Sequence, residues 1–164
     1  MTNKTVAAVC SLYCEGCSLY IATTEDPDRL RQFAARFHMS EEAVTCHGCR
    51  SDKRGPYCRK CKMSSCAAGK GIDFCVECRE YPCKELKEFQ AAMPHRIELW
   101  KDAERIKTIG YAEWLREARE RYACDQCNTI NSAYDLKCRK CGNEPSCEYV
   151  RLHKQEIEKF LQGR

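Results

Sequence analysis

Cysteine is the residue most able to do chemistry in this sequence, because sixteen of its 164 positions carry a thiol. A thiolate is a nucleophile, a redox group and a soft metal ligand, and spacing separates these roles. Cys124-x2-Cys127 and Cys138-x2-Cys141 enclose ten residues. Two such knuckles each clasp one side of a tetrahedral ion at Zn–S distances of ~2.3 Å, so this spacing points to a structural zinc. Cys46 and Cys49 form a further pair in C-H-G-C. Beyond them, Tyr57-Cys58-x2-Cys61-x4-Cys66 is matched seventeen residues on by Phe74-Cys75-x2-Cys78-x4-Cys83. Each copy offers three ligands. Cys46 and Cys49 could supply a fourth to each, or Cys58/Cys61 could join Cys75/Cys78, and the spacing allows both. Cys10-x3-Cys14-x2-Cys17 adds a third triplet, to be completed by a distant thiol such as Cys147. His47, inside a knuckle, is either a ligand or a solvent-facing side chain.

Several zinc ions are the leading cofactor expectation. The alternative is an iron–sulfur cluster at part of the N-terminal cysteines, since C-x2-C-x4-C triplets with a remote fourth thiolate can hold one. The compact ferredoxin run C-x2-C-x2-C-x3-C-P is absent, and Pro82 precedes Cys83 instead of following it. The Cys10 triplet shares its spacing with radical enzymes that cleave S-adenosylmethionine. The chain has neither the length nor the βα alternation for their barrel, and Gly16 stands where they place an aromatic.

Disulfides are the competing use of so many cysteines. The start MTNKTVAAVCSLYCEGC offers only a short apolar run already carrying cysteine, without a small-residue cleavage site, so the expectation is a cytoplasmic protein with reduced thiols. No stretch is continuously apolar for long enough to span a bilayer. The formal charge of +4 counts every thiol as neutral, and ligation to divalent metal would reverse its sign. Residues 46–83 carry eight Lys/Arg against four Asp/Glu beside eight cysteines, which suits neutralisation of thiolates as well as it suits nucleic acid.

The elements that must position these thiols are mostly helical. Thr24 and Asp26 before Pro27 announce a helix whose apolar face is Leu30, Phe33, Ala34 and Phe37, and a short second helix starts at Ser40. Thr45 to Cys83 has too few large aliphatics for an ordinary core, so metal must replace it. From Lys84, KELKEFQAAM, RIELWKDAERIKTI and YAEWLREARERY read as three amphipathic helices separated by Pro94 and Gly110, with Tyr111, Trp114, Leu115, Ala118 and Tyr122 as the clearest buried stripe. Val150, His153, Ile157 and Phe160 imply a closing helix with His153 packed. The expected architecture is therefore a mostly α, small, metal-stabilised chain: a cysteine-rich metal-binding domain over 1–90, an amphipathic helical segment over 91–122, and over 123–164 a zinc-ribbon β-hairpin with its closing helix.

Asn131 and Tyr122 make the second knuckle pair resemble a zinc ribbon and, partially, the Ran-binding-protein type of zinc finger. That finger begins with a tryptophan where Tyr122 stands. Its RNA binders carry an aromatic and arginines where this chain has Ser132, Tyr134 and Asp135, and its ubiquitin binders a Thr-Phe pair where Asn128 and Thr129 stand, so neither ligand follows. The succession C-S-L-Y-C-E-G-C-S-L-Y-I-A, C-H-G-C-R, C-R-K-C-K-M-S-S-C-A and F-C-V-E-C-R-E-Y-P-C-K-E-L resembles cysteine-rich proteins of bacteria, especially anaerobes, and archaea that are known only as a domain of unknown function, often with a zinc ribbon appended. Ser11 replaces a common glycine of that family. The resemblance implies zinc binding and no assigned activity.

Enzyme signatures are missing: there is no G-x-x-x-x-G-K-[ST], no G-x-G-x-x-G and no H-E-x-x-H. His38, His47, His95 and His153 are the candidate bases for a cysteine nucleophile, and His95 in M-P-H-R lacks a visible carboxylate partner. The leading functional expectation is a non-enzymatic binding or adaptor module with several structural four-cysteine zinc sites and a protein or nucleic-acid partner. Its alternatives are a thiol redox or metal-handling protein and an enzyme with an open three-cysteine site.

Overall fold

The computed structural model describes residues 3–163. Asp26 accepts a hydrogen bond from the Arg29 N–H and Pro27 fills the first position of the helix that follows, so that helix start is capped as its sequence demands. Helix α1 spans Ser18–Thr24 and α2 spans Pro27–Phe37. Ser40 caps α3, Glu41–Val44, through the Ala43 N–H. Two helices lie where the sequence offers little periodicity: α4, Pro56–Arg59, and α5, Lys62–Lys70. Only Met63 and Ala67 of α5 are buried, which is why no amphipathic pattern announces it. The three expected helices follow as α6, Lys84–Ala91, α7, Leu99–Ile109, and α8, Tyr111–Tyr122. Gly110 stands between the last two at φ +80°, a conformation that costs a residue with a Cβ. The closing helix is two pieces, α9, Glu148–Leu152, and α10, Lys154–Gln162, which meet at His153.

No sheet forms among the described residues, so the expected β-hairpin between the knuckles is corrected. Its only ladder is the isolated antiparallel bridge Ala123↔Ile130. The physical reason is that the backbone there closes knuckle turns: Cys124 N–H bonds Thr129 O and Asn128 N–H returns to Cys124 O. Donors that would extend a hairpin go instead to side chains, with Ser132 N–H on Asp135 and Arg139 N–H on Asn131.

Two apolar clusters make the interior. The larger gathers Val6, Ala7, Tyr13 and Phe74 with Trp114, Leu115, Ala118, Tyr122, Ile130, Tyr149 and Ile157. Tyr122 and Tyr149 stack at 4.9 Å, and Tyr13 meets the Trp114 ring edge-on at 6.4 Å. The smaller cluster contains the thiols themselves: Cys10 and Cys49 with Ala8, Val9, Met63, Leu86 and Leu99. Segment 6–10 thus runs between the clusters. Gly16 lies against the Tyr122 ring, where a Cβ would sit 2.7 Å from a ring carbon.

A buried polar network crosses the larger cluster. Arg121 bonds both Glu98 and Asp102, Trp114 Nε1 donates to Asp102 at 2.9 Å, and His153 Nε2 lies 3.1 Å from Glu98. His153 is packed as expected, against the Tyr149 ring. No helix among the described residues is long and apolar enough to cross a membrane.

Candidate metal centre

The four sulfurs of Cys124, Cys127, Cys138 and Cys141 lie within 4.8 Å of one another. Two contacts across the knuckles, Cys124–Cys141 and Cys127–Cys138, are both 3.6 Å. A tetrahedron of sulfurs at ~2.3 Å from a central ion has edges of about 3.8 Å, whereas a disulfide would require about 2.05 Å. The donor set therefore fits a thiolate-bound metal.

Two near-identical backbone turns hold the set. Cys124 and Cys138 donate their N–H to Thr129 O and Asn143 O at 2.9 and 2.8 Å, and accept from Asn128 and Gly142 at 2.8 and 2.9 Å. Asn128 at φ +56° does in the first turn what Gly142 at φ +75° does in the second. Burial acts to raise the Cys138 thiol, but the N–H groups of Cys141 and Lys140 and the Asn131 amide bring it down to about 6. The Thr129 hydroxyl beside Cys127, 3.3 Å from its sulfur, holds that thiol below its ordinary value. Cys141 is pushed up to about 12 as a hydrogen-bond partner of Cys127, against the pull of the Asn143 N–H.

Asn131 is fully buried and was legible only as a family likeness. Its Nδ2 donates to Thr129 O at 2.9 Å and Ser146 O at 3.2 Å and points at Cys138 Sγ at 3.6 Å. It ties the two knuckles to the chain that leads into α9. Ion pairs Arg29–Asp135 and Arg139–Glu25 then fasten this segment to the α1–α2 corner.

Of the N-terminal cysteines, Cys10 and Cys49 lie in the smaller apolar cluster with Cys14, Cys61 and Cys75 packed against it, and no second group of three or more ligand atoms closes to within 4.8 Å among the described residues. Cys10, Cys49 and Cys46 are buried, Cys14, Cys58, Cys61, Cys75 and Cys78 half-buried, and Cys17, Cys66 and Cys83 exposed. The two copies of the internal repeat differ: Tyr57 is 62% exposed and meets Phe37, whereas Phe74 is buried against Tyr111. Cys147 does not join the Cys10 triplet. It is buried in the larger apolar cluster, where burial raises its thiol, and it stands immediately before the first residue of α9. His47 is exposed on its knuckle, and His95 Nδ1 lies 2.6 Å from the Tyr134 hydroxyl. Arg96, which spacing gave no reason to notice, is packed over the Phe89 ring at 3.6 Å and donates from Nη1 to Phe89 O at 2.7 Å.

Beside the C-terminal knuckles an open groove of about 350 Å³ is lined by Glu25, Arg119, Asn128, Thr129, Arg139 and Lys140. It is polar and shallow.

Fold and site together define a small helical, cysteine-rich protein with a cluster of four cysteines able to hold a metal ion. The family described as "Protein of unknown function (DUF3795)" matches residues 6–88, and the chain belongs to that family. No curated protein and no solved structure matches it.

Proposed function

We propose that this protein is a cytoplasmic zinc-binding module that acts by presenting a rigid surface to a partner, without catalysing a reaction. The observation that carries the reading is the convergence of the Cys124, Cys127, Cys138 and Cys141 sulfurs at tetrahedral spacing. Four thiolates fill every position of a tetrahedral ion, and closed sites of this kind are structural, whereas catalytic zinc keeps one position for water or substrate. Zinc ribbon is then the apt description of residues 123–147. The further cysteines of the family region serve as additional zinc ligands. Reduced thiols in this number suit a reducing compartment.

The groove beside the knuckles is the surface best placed to meet a partner. Arg119, Arg139 and Lys140 outnumber Glu25 there, and Arg139 is already bonded to Glu25, so an acidic protein segment or a nucleic-acid backbone would find cationic donors on a fixed frame.

The test is to purify the full chain anaerobically and measure zinc, iron and sulfide per chain with the visible spectrum. A colourless protein holding several zinc ions, which loses its fold on chelation, is the expected result. Iron with acid-labile sulfide would replace the structural reading by electron transfer. Binding of random single-stranded RNA that weakens steeply with salt would identify the partner as nucleic acid, and no binding at low salt would leave protein.

A further inference from the structure

We propose that the groove beside the C-terminal knuckles binds a phosphate monoester, and that Glu25 occupies it as an internal competitor which the ligand displaces. The inference rests on the partner-surface reading above. It adds the chemistry that this surface recognises and the residue that guards it.

The groove is built on a guanidinium that the fold holds still. Arg139 and Lys140 are the two residues between Cys138 and Cys141. The Arg139 N–H donates to Asn131 Oδ1 at 3.0 Å and its Nε donates to Ile130 O at 2.9 Å, so both ends of the residue are tied to the knuckle frame. Its side chain is only 15% exposed, and Nη2 meets Glu25, which lines the groove with it. An arginine fixed in this way has already lost its rotamer freedom, and its planar fork matches phosphate oxygens. Lys140 stands exposed on the same wall. Arg119 is held loosely, because Glu15, its carboxylate neighbour, lies 3.9 Å away and already accepts from the Tyr13 hydroxyl.

Glu25 is the replaceable member. It sits at the C-terminal end of α1, with its N–H on Ile21 O at 2.9 Å. A carboxylate at the negative end of a helix gains nothing from the helix dipole, so Arg139 is what draws this side chain across the groove. The Glu25 side chain is 54% exposed, and ion pairs open to solvent contribute little, so a stronger anion can take its place.

Charge decides which anion. Three cations line the groove, and the one carboxylate among them neutralises only one. A phosphate monoester brings about two negative charges at neutral pH and three strong acceptor oxygens, enough to engage Arg139, Lys140 and Arg119 together. A nucleic-acid phosphate brings one charge, and unpaired bases bind by stacking on aromatic rings, whereas the only apolar lining residue among those described is Ile130. The volume of about 350 Å³ admits the phosphate with the first atoms of its carrier. That carrier is a phosphorylated protein segment or a small phosphorylated molecule, and the contacts at Arg139 are the same for both.

The experiment titrates the full chain by calorimetry with inorganic phosphate, with a peptide carrying one phosphoserine, and with the same peptide unphosphorylated. Saturable binding of a phosphorylated probe and none of the plain peptide is the expected result. Glu25→Gln should tighten it about threefold by removing the competitor, and Lys140→Ala should weaken it about threefold. Both side chains are exposed, and the Arg29–Asp135 pair keeps the α1–α2 corner fastened in the first variant. Arg139→Lys keeps the charge but loses the fork, for an expected loss of about tenfold. Tighter binding of the phosphopeptide than of inorganic phosphate would assign the ligand to a protein, and the reverse order to a small molecule. No binding of either probe, binding indifferent to Glu25→Gln and Lys140→Ala, or capture of single-stranded RNA in place of both would overturn the monoester site. Zinc measured on the same sample separates the two failures: with zinc present only the site falls, and without it the underlying reading falls as well.

Discussion

Cys138 and Asn131 show how far single residues carry the site. Cys138 is drawn toward thiolate by two backbone N–H groups and an amide, and its sulfur is 3.6 Å from Cys127. Replacing it by serine removes a soft donor from a closed tetrahedron. One metal equivalent should be lost and the near-ultraviolet circular dichroism of the neighbouring tyrosines should fall, while unchanged metal content would contradict the assignment. Because ligation requires deprotonated sulfur, metal affinity at this site should weaken as pH falls, which a competition titration with a chromophoric chelator from about pH 8 to about pH 5 would measure. The knuckle cysteines were legible because two ligands three positions apart can reach one ion. Asn131 was legible only as a family likeness, since its role lies in carbonyls at positions 129 and 146 that only the fold brings together. Asn131→Leu keeps the volume and orphans those groups at a cost of about 1–3 kcal/mol. Its expected outcome is an unchanged metal count with faster transfer of metal to a chelator.

Among the elements, the helices with caps and periodicity were readable and those held by packing were not. Asp26-Pro27 and Ser40 start α2 and α3 where local chemistry says they should. In contrast, α4 and α5 lie in a stretch rich in cysteine, serine and glycine, and α5 buries only two side chains. The break at His153 also escaped the pattern, because Glu98 at the start of α7 holds that side chain from another helix. The α7–α8 pair depends on Arg121, 9% exposed between Glu98 and Asp102. Arg121→Met would leave two carboxylates buried without their cation, at a cost of about 3–5 kcal/mol, to be read as a lower urea midpoint. At the α1 approach, Gly16→Ala forces a methyl group into the Tyr122 ring and should destabilise by about 1–3 kcal/mol in the same assay.

At the scale of the whole molecule, the larger apolar cluster joins residues from Val6 to Ile157, so neither half of the chain owns its interior. Loss of metal from the C-terminal knuckles should therefore propagate. In hydrogen exchange, Cys138→Ser is expected to lower protection in α8 as well as in residues 123–147, whereas loss confined to the knuckles would show that the two regions are energetically separate. The ion pairs Arg29–Asp135 and Arg139–Glu25 sit on the same seam.

That shared interior bears on how the chain can be cut. Val6, Tyr13, Phe74 and Val76 lie inside the family region, yet their apolar contacts include residues from α7, α8 and the segment around Tyr149. A fragment confined to residues 6–88 would keep all eleven N-terminal thiols and lose the cover over those side chains. Chemically complete but physically unfinished, it would be a sticky molecule, prone to pair with itself or with any surface offering aromatic rings.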